Sequence, residues 1–341
     1  MQVAKTLARV VARGDLSQLE AQETLDAIFR GELTSVQVAG LLIGMRMKGE
    51  TAAELAGFAQ SMRKHSERVI VKRDGRLLDT CGTGGGEGAV TFNISTVAAF
   101  VAAGAGVTVA KHGNRAITSK CGSADLLEAL GARAVLRSND AARAIEEIGI
   151  GFLFAPAFHP AMRTVQPVRQ ELGVRTVFNL LGPLTNPAGA DAQLIGAPSV
   201  HYAALMAEAL VRLGLEHGLV VHGEGLDEVT TTGITKAFRV SHGGVEQLTL
   251  SPEDFGIARA SVEDLAGGDA PCNAEIARSI LGGAKGPMRD VVVVNASAAL
   301  VACGRAENWR AGVALSAHSI DSGSAARRLR DYVDFTQSLP E

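Results

Sequence analysis

The 341-residue chain is poor in aromatic residues, which make up 4% of it, with one tryptophan and two tyrosines. Such scarcity argues against a stacking platform for carbohydrate or RNA bases. Cysteine is sparse too: Cys81, Cys121, Cys272 and Cys303 lie far apart and show no CxxC spacing. Free thiols in a reducing compartment are expected. There is no excess of one charge, since 33 Lys+Arg against 36 Asp+Glu leave a net −3. This balance predicts no bulk affinity for nucleic acid or an anionic membrane. Met1 to Gly14 contains no apolar block of secretory length, so a cytoplasmic protein is the expectation. Residues 88–110 lack any charged side chain, yet Thr91, Asn93, Ser95, Thr96 and Gly104-Ala105-Gly106 interrupt the run. A buried strand–loop–helix–strand passage fits this better than a membrane span. What is present is a 47% apolar composition with 39 glycines, which suits an α/β protein with backbone-lined loops.

The first part of the chain reads as helical. Ser17-x-x-Glu20, Thr34-x-x-Gln37 and Thr51-x-x-Glu54 each fit a capping box, in which a hydroxyl and an acid or amide side chain satisfy free amides reciprocally. Gly14, Gly31 and Gly49 stand just before them, where a preceding helix ends. Val36 to Met47 is apolar nearly all round and predicts a helix buried in a core or a subunit interface. From about residue 75 short apolar runs alternate with amphipathic stretches. Strands are predicted at Arg76–Thr80, Gly106–Ala110, Ala134–Leu136, Gly151–Phe154, Glu216–His222 and Asp290–Val294. Helices are predicted at Ser123–Leu130, Ala141–Ile148, Tyr202–Leu213, Ala274–Leu281 and Arg310–Ile320, and Val97–Ala103 reads as a further one. The alternation implies βαβ units and a mostly parallel sheet, with ligands at the carboxyl ends of its strands.

Four clusters carry chemistry. Cys81 to Gly88 holds five glycines, letting backbone amides approach an anion. Thr91-Phe92-Asn93-Ile94-Ser95-Thr96 then opens a helix, a natural phosphate site. Neither a Walker A sequence nor a dinucleotide fingerprint is present. The second cluster, Lys111-His112-Gly113-Asn114-Arg115 with Ser119, Lys120 and Ser123, mixes cations and hydroxyls as a pyrophosphate requires, and Ser123 is placed as a helix cap. His159, Arg169 and Arg175 form the third, leading into Phe178–Pro187; an arginine there suits a carboxylate substrate. In the fourth, Asp227-Glu228 follows an apolar strand, and paired carboxylates suit Mg²⁺ shared with substrate phosphates.

Motifs in a fixed order carry a resemblance. CGTGG, TFNIST, KHGNRAITSKCGSADLLEALG, HPAMRTVQPVRQELGVRTVFNLLGPLTNPAG, GLDEVTT and RDVVVVNASAALVACGRA span nearly the whole chain. Together they resemble the anthranilate phosphoribosyltransferases of tryptophan biosynthesis. The resemblance implies a small helical domain at 1–68, with a contribution from about 160–180, and a large α/β domain at 75–341 with a mostly parallel sheet flanked by helices. It implies transfer of phosphoribose from phosphoribosyl pyrophosphate to the amine of anthranilate, with Mg²⁺, in a homodimer joined through the helical domain. By motif, Gly82, Gly85, Thr91, Asn93, Ser95, Thr96, Lys111, His112, Gly113, Asn114, Arg115, Ser119 and Ser123 would hold the phosphoribosyl donor. Gly82, Asn114, His159 and Arg169 would hold anthranilate, and Ser95, Asp227 and Glu228 the metal. Lys111, Asn114 and Arg169 would carry the catalysis. One departure stands out: the family has Asp where this chain has Gly86, and Glu87 follows in a loop one residue longer. Two other readings remain: a pyrimidine-nucleoside phosphorylase, whose Lys-His pair is replaced here by Asp79-Thr80-Cys81, and a non-catalytic nucleic-acid-binding relative.

Overall fold

The computed structural model describes residues 3–84, 91–116 and 120–340. Its opening helices are Val3–Val11, Gln18–Phe29, Ser35–Lys48 and Ala52–Lys64, and the last three begin where the sequence places them. Ser17, Thr34 and Thr51 are the N-caps of the last three, each with both capping-box bonds formed. The helix Ser35–Lys48 is buried along one side within the chain. Val38, Leu41, Leu42 and Met45 are buried, but Val36 and Met47 are 81% and 69% exposed.

Seven strands follow: β1 Leu77–Gly82, β2 Thr108–Gly113, β3 Ile150–Phe154, β4 Ala192–Gly196, β5 His217–Gly223, β6 Thr235–Ser241 and β7 Gly244–Leu250. They form one sheet in the order β3-β2-β1-β4-β5-β6-β7. The first five are parallel, and β6 and β7 run antiparallel at one edge. Gly82 stands opposite Gly196, and Gly196 opposite Val221, so the strands end together along one rim.

Several expectations need correction. Ala134–Leu136 forms no strand, and Asp290–Val294 lies inside the helix Pro287–Ala302. That valine run is buried on every side, and Pro287 at the helix start favours the helical turn over intrinsic β preference. β4, β6 and β7 were not predicted. The helix after the glycine-rich loop is Ile94–Gly104, three residues earlier than Val97. No helix among the described residues is long and apolar enough to cross a membrane.

Two apolar cores sit on the sheet. One packs Leu77, Leu78, Leu194, Leu219 and Val221 beneath the helices Ile94–Gly104 and Pro287–Ala302. The other takes the alternate residues Ile195 and Val220, as the two-residue period of a strand requires. This second core joins them to the helix Val200–Arg212, to Val165 through Leu184, and to the opening helices through Leu41, Leu55 and Phe58.

Candidate active site at the carboxyl rim of the sheet

β2 runs three residues beyond its predicted end at Ala110, so Lys111 and His112 belong to the strand and are buried. Lys111 and His112 are therefore not part of a solvated basic loop, whereas Arg115 and Lys120 are exposed. Lys111 Nζ donates to the Thr80 carbonyl and to Ser95 Oγ at 3.3 Å. Burial draws this ammonium below its ordinary range, against the nearby anions Asp79 and Glu228.

Beside it starts the helix Ile94–Gly104. Asn93 occupies its N-cap without a side-chain cap bond; the Ile94 amide donates to the Phe92 carbonyl at 2.8 Å, and the Thr96 and Val97 amides donate to the Asn93 carbonyl at 3.1 and 3.2 Å. The Asn93 amide instead donates to the Cys121 carbonyl at 3.0 Å and accepts from Asn273 at 3.0 Å. Thr91 bridges to Ala266. Thr96 Oγ1, in the first turn, is buried with no hydrogen-bond partner. The Ser95 amide donates to Glu228 Oε1 at 3.2 Å.

Asp227 and Glu228 follow β5 and reach the same rim. Asp227 Oδ2 accepts from the Gly84 amide at 3.1 Å. A Cβ at Gly82 would lie 2.6 Å from Asp227 Oδ2, and one at Gly196 only 1.7 Å from the Asp227 carbonyl. Glycine at both positions is what lets the acid loop seat between β1 and β4. Burial raises both carboxyls; Glu228 is pushed up to about 8, with Asp227 adding to the effect. Two carboxyls held together at this cost, beside the Ser95 hydroxyl, are a hard-oxygen donor set that a divalent cation would relieve. The residues fit Mg²⁺.

On the facing side Arg169 lies in the helix Gln166–Leu172, its guanidinium 5.3 Å from the centre of the Phe178 ring. Burial lowers its pKa, and no carboxylate pairs with it among the described residues. An aromatic ring under an unpaired guanidinium suits an aromatic acid. Arg175 Nη2 donates to the Gly84 carbonyl at 2.7 Å, tying this segment to the glycine-rich loop. His159 is buried with its ring centre 5.2 Å from that of His112, and Nε2 of each has no hydrogen-bond partner. His112 Nδ1 sits 3.0 Å from the Gly182 carbonyl. Burial brings His112 to about 3 and His159 to about 4, so both rings are neutral near pH 7.

Two expected roles change. Arg115 Nη1 lies 3.0 Å from Asp125 and its Nη2 2.6 Å from Glu128, so two carboxylates take up its charge instead of a phosphate. Gly122, not Ser123, is the N-cap of the helix Ser123–Ala129; the Ser123 Cβ instead lies 3.1 Å from where Gly113 would carry one. Asn114 is exposed and accepts from the Arg115 amide at 2.8 Å. Gly85, Gly86, Glu87 and Ser119 lie outside the described residues.

Sequence reasoning missed the supports of the site. Asp79, fully buried, accepts from the His112 amide at 3.0 Å and from Asn186 Nδ2 at 2.9 Å. Asn186 also donates to the Ala110 carbonyl at 2.8 Å. A lone acid within the apolar run Leu77–Cys81 was the available signal.

Two family patterns match the chain: "Glycosyl transferase family, helical bundle domain" over residues 4–66 and "Glycosyl transferase family, a/b domain" over 74–326. The anthranilate phosphoribosyltransferase of Solibacter usitatus is 58% identical over 340 residues, covering 99% of this chain and 100% of the relative. A crystal structure of the Thermus thermophilus anthranilate phosphoribosyltransferase superposes with a TM-score of 0.92 at 48% identity, over 98% of this chain and 99% of that one. The Saccharomyces cerevisiae enzyme in complex with PRPP and Mg gives 0.90 at 29% identity, over 99% and 98%. With identity of this order from end to end, and the same site motifs gathered on one rim, the chain belongs to the anthranilate phosphoribosyltransferase family.

Proposed function

We propose that this protein transfers the phosphoribosyl group of phosphoribosyl pyrophosphate to the amino nitrogen of anthranilate, releasing pyrophosphate, as a step of tryptophan biosynthesis. The proposal rests above all on one arrangement: the Glu228 carboxyl meets the Ser95 amide in the first turn of the helix Ile94–Gly104, and Lys111 meets the Ser95 hydroxyl. A cation site and an anion site share one rim there, opposite the unpaired Arg169. Asp79 stands bonded to β2 where a phosphorylase would need its Lys-His pair, which counts against that alternative.

In the reaction the bond from ribose C1 to the pyrophosphate oxygen breaks and the nitrogen lone pair forms the C1–N bond; the nitrogen then sheds a proton. Positive charge builds on the ribose and negative charge on the leaving group. The hydroxyls of Thr91, Ser95 and Thr96 and the side chain of Asn93, with Gly82, Gly85, Gly113, Ser119 and Ser123, would hold the donor. Lys111 places its charge under Ser95, on the leaving-group side. Ser95, Asp227 and Glu228 would hold Mg²⁺, which when bound supplies further positive charge to the pyrophosphate oxygens. Arg169 would orient the anthranilate carboxylate, with Asn114 and the neutral His159 beside the ring. The amine attacks in its neutral form, so positioning contributes more than a strong base.

We propose further that residues 1–68 with about 160–180 act as one body and 75–341 as the other, their facing sides forming the cleft. Exposed Val11, Leu19, Val36 and Met47 on the opening helices support a homodimer through that surface. Function in the cytoplasm accords with the free cysteines. Anthranilate fluorescence followed with phosphoribosyl pyrophosphate should decay in a Mg²⁺-dependent manner. Absence of decay at high enzyme concentration would overturn the assignment. Comparison with Glu87→Ala then reads whether that acid replaces the family's Asp.

A further inference from the structure

The helix Pro287–Ala302 is buried continuously from Val291 to Leu300, and in its middle stands Asn295, 0% exposed. An asparagine amide brings two N–H donors and an acceptor into that environment, and leaving them unpaired is costly. Four valines precede it, so the helix itself has no need of a polar group at this point. The partners lie 66 residues away. Asn295 Oδ1 accepts from the Val229 amide at 2.9 Å, and Nδ2 donates to the Val229 carbonyl at 2.8 Å. The second Nδ2 proton returns to the Val291 carbonyl at 2.8 Å. The side chain thus pairs with both backbone groups of one residue, as a neighbouring strand would.

Val229 directly follows Glu228. On the other side the Glu228 carbonyl accepts from the Gly223 amide at 3.0 Å. The next amide, of Thr230, donates to Thr235 Oγ1 at 3.0 Å. Peptides on both sides of Val229 are therefore held, and the direction in which the Glu228 side chain leaves is set. Building on the cation reading above, we propose that Asn295 is a positioning residue for the cation site. By clamping Val229 it keeps the Glu228 carboxylate turned toward Ser95 and alongside Asp227. Asn295 stands outside any direct ligand set, and its effect passes through the backbone.

The test compares Asn295→Ala with Val292→Ala, a truncation at a buried position of the same helix that makes no side-chain hydrogen bond. Mn²⁺ binding in the presence of inorganic pyrophosphate is read by equilibrium dialysis, as the excess of Mn²⁺ on the protein side. Asn295→Ala should weaken Mn²⁺ binding about tenfold, while Val292→Ala stays within about twofold of the wild type. Equal weakening in both variants, or wild-type affinity in Asn295→Ala, would assign Asn295 to fold stability alone and overturn the proposal. If the wild type takes up no Mn²⁺ with pyrophosphate, the cation site itself falls and the inference with it. Should Asn295→Ala fail to fold, Asn295→Ser, which keeps a small polar group, carries the same comparison.

Discussion

Arg169 and His159 show how burial assigns different work to two basic side chains. The Arg169 guanidinium keeps its charge, because burial lowers it from a very high starting value. It is held over Phe178 with no carboxylate paired to it among the described residues, and the proposed function gives it the anthranilate carboxylate. Arg169→Ala should raise the anthranilate KM about 10- to 100-fold, the worth of a charge-assisted hydrogen bond. The KM for phosphoribosyl pyrophosphate should change far less; steady-state kinetics with each substrate varied in turn checks this. His159 behaves oppositely, since burial brings it from 6.5 to about 4. Between those values the unfolded chain binds a proton that the folded chain refuses. Stability is therefore whole above about pH 6.5 and is lost as pH falls. By pH 5 the loss through this ring alone is about 2 kcal/mol. Urea unfolding of wild type and His159→Gln at pH 7 and pH 5 isolates it. The wild type's margin over the variant should shrink by that amount on acidification, while a constant margin would deny His159 the role.

Among the elements, the helix Ala52–Lys64 separates a local signal from a tertiary one. Thr51 and Glu54 close its capping box, but Glu54 does more. Its side chain is fully buried, accepts from the Leu16 amide at 2.8 Å and pairs with Lys48 at 2.8 Å, Lys48 being equally enclosed. Thr51→Ala should cost about 1 kcal/mol, the usual worth of a cap. Glu54→Ala should cost more, about 2–3 kcal/mol, because it leaves the Leu16 and Thr51 amides without their acceptor and Lys48 with Asp15 as its one remaining carboxylate. Chemical denaturation of both variants reads the contrast. The same division explains what could be read from sequence. Capping boxes and glycine stops were legible because their partners lie three residues apart. The parallel strands that precede the Lys111 and Asp227 motifs were legible for the same local reason. The valine run of Pro287–Ala302 misled because burial on every side erases the period that distinguishes helix from strand. β4 escaped as a five-residue run, and β6 and β7 escaped because polar residues such as Lys236, Arg239, Glu246 and Gln247 break up their apolar pattern. The supports of the site escaped because their bonds are distant in sequence: Asp79 to Asn186 across 107 residues, Asn93 to Asn273 across 180.

At the scale of the whole molecule, the two apolar cores do not coincide with the two family patterns. The opening helices do not close a core of their own. Leu41, Leu55 and Phe58 share theirs with Val168, Val177, Phe178 and the helix Val200–Arg212, which also covers β5 and β6. Residues 160–184 are therefore the keystone between the first helices and the sheet, and the same stretch carries Arg169 and Arg175. Arg175 ends on the Gly84 carbonyl, so the packing that stabilises the helical body also sets the distance between the aromatic-acid side and the phosphate side. A fragment of residues 1–68 lacks those covering surfaces, and a chain of that length rarely buries enough apolar area unaided. It should be largely unfolded by far-ultraviolet circular dichroism. In the full chain the shared core should make unfolding one event. Trp309, the single tryptophan, packs against Phe255 at 5.5 Å on the α/β side, while circular dichroism reports all the helices. Urea curves from the two signals should superimpose. An early loss of helix, before Trp309 fluorescence changes, would mean that the opening helices separate first and that the keystone does not hold them.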